Sequence, residues 1–288
     1  MVVAANAKKM KTKTFYFGEV SSLTADYNYT VEVTYGKTNA ITVTFPAHME
    51  DFLNISCNNG HLVLSVKQRS GKRYKNENVE DIPVKLQMRK INSIQLSGTA
   101  RLKATGNFYA DDLFDCKLSG ASRISAPLSI SGRSLGYSLS GISYGIIKGK
   151  FKSVKGNTSG SSNLKLEIDG NTEDFTASLT GVSRLNATLE SVSSSAIEAS
   201  GSSNATLSGK TRYISIQTSG AASVNGADMN ALNGKGDASG SSNIMIYATD
   251  SLDLGVSGGA DIKYYGIKDE RNVTRRYPKY AATIRSGD

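Results

Sequence analysis

Tryptophan is absent from this 288-residue chain, proline occurs four times, and cysteine and histidine twice each. Each shortage excludes something. Two cysteines cannot build a disulfide framework. Cys57 lies in phase with Leu53 and Ile55 and Cys116 in phase with Leu118, so they read as two interior thiols, although export would permit a bond. His48 and His61 are the only histidines and sit outside the repeated part of the chain, which leaves no zinc site its ligands and gives a Ser-His nucleophile weak support. No apolar run approaches the roughly 20 residues of a membrane-spanning helix. An apolar fraction of 39% is low for a compact core and suits a narrow one.

What the chain has in excess is a phrase: an apolar or small residue, Ser or Thr, Gly, then small, polar and apolar residues. It recurs nine times, from LSGTARL at Leu96 through LSGASRI, TSGSSNL and ASGSSNI to VSGGADI at Val256. The glycines fall at 98, 120, 141, 160, 181, 201, 220, 240 and 258, intervals of 18 to 22 residues. A period near 20 marks a solenoid, in which each unit buries its apolar face by stacking on its neighbours. Within each unit the second residue after Gly is small and the fourth is apolar in all but one copy, while the third is polar throughout. Alternation with period two means strand, with the second and fourth positions turned inward and the third outward. Gly permits a corner with positive φ. These features predict an all-β protein: a right-handed, single-stranded parallel β-helix, its coils about 4.8 Å apart and nine of them spanning roughly 40 Å.

Four segments follow. Residues 1–13 contain Ala5-Asn6-Ala7, which reads as the end of a secretory signal. Residues 14–96 form an N-terminal β cap and the entry to the solenoid: 14–68 read as antiparallel strands of a cap or small sandwich that can run on into the first coils, with a hairpin at Asn58-Asn59-Gly60, and a basic loop, Arg69–Asp81, interrupts them. Residues 97–264 are the β-helix. Residues 265–288, rich in Tyr and Arg, are a C-terminal cap or a loose tail.

A net charge of +9 raises nucleic acid as a partner, but its distribution argues against one. Residues 97–262 hold 14 Lys and Arg against 14 Asp and Glu, whereas residues 1–96 hold 13 against 8 and residues 263–288 hold 7 against 3. The rod is neutral and the excess sits at its ends. Arg101 and Arg123 share a phase on neighbouring coils, but Tyr144 breaks the stripe. The candidate binding residues are those of the outward third position: Asn163, Asn204 and Asn243 with Arg101, Arg123 and Arg184. The plainer reading of the asparagines is that they serve the bend.

For catalysis the one workable chemistry is a carboxylate pair acting on a sugar. Asp169 and Glu190 each lie nine residues after their glycine on adjacent coils, without an evident subsite around them. Solvated surface carboxylates are the simpler account. No residue pattern calls for a cofactor or metal.

The strand-rich start (FYFGEVSSLTADYNYTVEVTYGKTNAITVTF), the stretch FLNISCNNGHLVLSV and the nine Ser-Gly coils together resemble the head GIN-domain family of auto-transporter adhesins, abundant in Bacteroidetes-type bacteria. The resemblance covers about residues 14–265. It implies an exported protein of the periplasm, outer-membrane surface or extracellular space, a right-handed β-helix and an adhesin role, and it carries no catalytic residues. The expected function is an envelope or surface binding module without catalysis, taking a glycan or a surface protein. The alternatives are a polysaccharide lyase or hydrolase, and a scaffold assembling through the solenoid ends.

Overall fold

The computed structural model describes residues 9–37, 40–67, 80–276 and 282–287. The triplet at 5–7 and most of the basic loop, residues 69–79, lie outside the described residues. The rest is an all-β solenoid of 24 strands hydrogen-bonded into one continuous sheet.

The inward–outward alternation predicts the burial. Every second residue after the repeat Gly is buried, from Ala100 and Ser122 to Ala260, and so is every fourth, from Leu102 to Ile262. The nine glycines all adopt φ between 63° and 74°. They stack directly on one another. The N–H of the following residue donates to the Gly carbonyl one coil back, as from Ala121 to Gly98 at 2.7 Å and from Ser202 to Gly181 at 2.8 Å. A Cβ on Gly201 would stand 2.8 Å from the Gly181 oxygen. The corner therefore needs Gly twice over, for its dihedral and for its contact distance.

Behind the corner runs a buried column of serines. Ser122 donates to the Leu96 carbonyl at 3.2 Å, Ser183 to the Thr158 carbonyl at 3.2 Å, and Ser203 to the Ser200 carbonyl at 2.9 Å. These hydroxyls satisfy themselves within and between coils, so small polar side chains can fill the narrow core without a desolvation penalty. The serines just before Gly contribute as well: Ser159 reaches the Leu139 carbonyl at 3.2 Å.

The irregular period is absorbed at another corner. From Asn163 to Val256 each coil carries one long bent strand, such as Asn163–Leu179 and Arg184–Ala199. The pairing register shifts between Ile168 and Asn171, and again between Leu189 and Val192. Bulges there take up the extra residues and leave the Gly corners aligned.

The N-terminal region has the expected antiparallel strands and also enters the solenoid itself. Two of its strands are parallel members of the rod. Ser22–Ala25 lies between His61–Val66 and Ser93–Leu96, and Tyr29–Tyr35 lies between Ile82–Met88 and Arg101–Thr105, all in parallel. The first coil in sequence is thus the second in space, inserted beneath a coil built from later residues. Its corner is Tyr27, at φ 68°, whose carbonyl accepts from the Thr99 N–H at 2.7 Å as the glycine carbonyls do elsewhere. Antiparallel pairing is confined to the outermost strands: Met10–Tyr16 on Ala40–Pro46, which pairs in turn with Ile82–Met88, and Leu53–Asn58 on His61–Val66. The last two form the expected hairpin, turning at Asn59 and Gly60 with φ 50° and 75°. These strands cover the end that a solenoid must protect.

At the other end, Val273–Arg276 pairs in parallel with Asn243–Val256, and Thr283–Ser286 with Asp261–Tyr265. The described part of the Tyr/Arg-rich segment continues the rod for a further coil. Both cysteines are free thiols; Cys116 is buried, as expected, whereas Cys57 is only half-buried.

Candidate functional site

The outward third positions form one unbroken file. Register partners run Arg101, Arg123, Tyr144, Asn163, Arg184, Asn204, Ser223, Asn243 and Asp261, each beside the next on the adjacent strand. All six candidate residues lie in this file, and Asn163 alone among them is half-buried rather than exposed. They do not form one cluster. Arg101 and Arg123 are neighbours, Arg184 separates Asn163 from Asn204, and Ser223 separates Asn204 from Asn243. Asn204 donates to the Ser202 carbonyl at 3.2 Å, so at this position the side chain does serve the bend.

On the opposite flank of the glycine corner the strands build a groove. Three residues before the repeat Gly the side chain points out (Gly255, which has none, is the exception), two before it points in, and one before it swings out as the chain turns. Two outward files with an inward file between them make a trough. It spans the coils from Ser178 to Arg276 and encloses about 800 Å³. One wall is Ser178, Glu198, Gln217, Asp237, Gly255 and Arg276, successive register partners; the other is Thr180, Ser200, Ser219, Ser239 and Ser257. Leu179, Ala199, Thr218, Ala238 and Val256 form the floor.

The groove is closed at one end by charge. Arg276 donates to Asp237 at 2.7 Å and to Asp253 at 2.8 Å, and these carboxylates hold its guanidinium firmly protonated, Asp253 above all. Farther along, the Glu198 carboxylate, the Gln217 amide and the hydroxyls of Thr180, Ser200, Ser219 and Ser257 make no side-chain hydrogen bond with any described residue. Sequence reasoning passed over this wall. Its polar phase is visible three residues before each Gly, but the corner that turns it into a wall is not.

The two carboxylates of the sequence-predicted pair lie on adjacent coils with different surroundings. Glu190 accepts from the Gly170 backbone N–H at 2.5 Å, and no interaction joins it to Asp169, which lines a separate small pocket with Lys150, Phe151 and Lys152. Asp111 is held below the usual carboxylate range by hydrogen bonds from Lys90 and Asn92, so it is a structural anion. His61 bonds to Thr24 at 2.8 Å. Among the described residues no three His, Cys, Asp or Glu side chains converge as a metal site.

The family described as "Putative auto-transporter adhesin, head GIN domain" matches residues 20–168 and 157–267, two overlapping stretches that together cover residues 20–267. The chain belongs to this family. Among solved structures, a putative adhesin from Parabacteroides distasonis shares 15% identity over 97% of this chain and 98% of its own, at TM-score 0.51. A putative adhesin from Parabacteroides merdae shares 15% over 98% of both chains, also at TM-score 0.51. At such identity the likeness is one of fold. No curated protein matches the chain. Among the described residues, no helix is long and apolar enough to cross a membrane.

Proposed function

We propose that this GIN-domain protein is a non-catalytic binding module, exported to the cell envelope or surface, that holds a glycan or a surface protein against the outward polar files of its rod. The observation that carries this reading is the continuity of those files. Strand after strand, the rod presents polar side chains at a spacing of about 4.8 Å on a rigid backbone, the arrangement that engages an extended partner through many weak contacts. Asn163, Asn204, Asn243, Arg101, Arg123 and Arg184 belong to one such file, and the groove from Ser178 to Arg276 lies on the other side of the corner. Family membership supports the adhesin role, and a surface or exported location with it.

The test is incubation of the purified protein with a panel of acidic and neutral polysaccharides and with intact cells, scoring both binding and newly formed chain ends. Binding without new chain ends is expected. Turnover that vanishes in Asp169→Asn or Glu190→Gln would replace this reading with a carbohydrate-active enzyme.

A further inference from the structure

The groove carries more information than its shape. Its middle is uncommitted while its end is locked. Glu198 can only accept hydrogen bonds, Gln217 both donates and accepts, and each free hydroxyl does both. The trough crosses six strands, on the order of 25 Å, and these uncommitted groups occupy its middle, whereas Asp237 and the Ser239 hydroxyl nearer the closed end are already bonded. A volume of 800 Å³ lies within the range of ligand sites.

We propose that this groove binds a neutral, linear glycan laid along the rod axis, with Glu198 and Gln217 as its central contacts. The inference rests on the binding-module reading and names its ligand class and site. A glycan fits because its hydroxyls, like the walls, are donors and acceptors at short, repeated intervals. An acidic polymer does not fit. Glu198 and Asp237 face it, and the one cation in the lining, Arg276, is already shared between Asp237 and Asp253. A metal ion does not fit either. Glu198 and Asp237 are separated by the strand of Gln217, which puts them about 10 Å apart. A peptide strand finds no edge to join, because the backbone groups along the groove are already paired from coil to coil. An apolar ligand meets a floor sunk between two polar walls.

Calorimetric titration of the full chain with cello-, malto-, manno- and xylohexaose, against hexagalacturonate and an unstructured hexapeptide, decides the matter. At least one neutral hexasaccharide should bind, and hexagalacturonate should bind more weakly or not at all. Glu198→Gln and Gln217→Ala, both at exposed positions, should each weaken binding about tenfold, the loss expected for one good polar contact. Lys210→Ala, at an exposed position outside both the groove and the third-position file, should leave it unchanged, and circular dichroism of each variant confirms folding. Silence with all four neutral sugars, tighter binding of the acidic sugar or the peptide, or affinity indifferent to both groove variants would overturn the proposal. Cell-surface binding that survives the groove variants would leave the binding-module reading standing alone. Absence of binding to any polysaccharide or cell would remove both.

Discussion

Arg276 reaches back over Gly255 to bond Asp237, 39 residues earlier in the chain and two strands away. Gly255 makes the crossing possible: a Cβ there would lie 2.5 Å from the Asp237 carboxylate oxygen and 3.1 Å from the guanidinium carbon. One residue without a side chain thus lets the terminal coil latch onto the coil two before it.

The latch is exposed, so removing it should be mild in stability and local in effect. Arg276→Ala should cost no more than about 1 kcal/mol, the ceiling for exposed ion pairs. Amide exchange should quicken in Leu252–Gly255, which pair with Val273–Arg276, and stay unchanged in Leu164–Ile168. Protection lost along the whole rod would show that the latch holds more than its own end.

The glycine corners should rank among the least tolerant positions. Gly201→Ala combines a left-handed φ of 73° with a carbonyl 2.8 Å away, whereas Gly170→Ala meets φ 77° with no atom within 4 Å. The open site should cost about 1 kcal/mol for the dihedral alone, and the stacked site about 3 kcal/mol or more because a neighbouring coil must also move. Chemical denaturation of both variants measures the difference. Equal losses would mean that the stacking contact is irrelevant.

Tyr137 is fully enclosed, and its hydroxyl is the one buried side-chain polar atom among the described residues without a partner. Burial drives its pKa upward. Tyr137→Phe removes an unsatisfied hydroxyl while keeping the ring, so it should be neutral or stabilising, by up to about 1 kcal/mol. A clear loss in denaturation midpoint would reveal a partner for the hydroxyl.

Glu50 takes hydrogen bonds from Lys11 and then Lys13, which hold its pKa down to about 2. A carboxylate depressed in the folded state contributes stability that is fully present above its unfolded value of about 4 and lost as pH falls through its folded value. The contact between Met10–Tyr16 and the turn at Ala47–Phe52 should therefore persist at pH 4 and loosen near pH 2. The Glu50 carboxyl carbon shift follows this directly. Lys11→Ala should bring its midpoint back toward 4, and an unmoved midpoint would refute the pairing.

The Ser-Gly period, the strand character and the inward and outward phases could all be read from the chain alone, because a coil's local pattern depends on its own alternation and on Gly at one corner. Reading failed where partners are distant. Residues 22–35 look like part of an antiparallel sheet, yet they are a coil lacking the Ser-Gly signature, with Tyr27 at the corner. Nothing local announces that its neighbours come from both 61–88 and 93–105.

The candidate sites divide in the same way. The file of Arg101, Asn163 and Asn243 follows from counting residues after Gly, since equal phase on stacked coils means one line on the surface. The groove needed tertiary structure. It exists only because the chain turns outward just before each Gly, so that two files flank a third, and because Arg276 from the terminal coil closes one end. The sequence by itself determined the coil, since alternation and the need for a left-handed corner act within some twenty residues. Only the tertiary structure decided the order in which coils stack and the concavity they share, since both depend on hydrogen bonds between strands far apart in the chain.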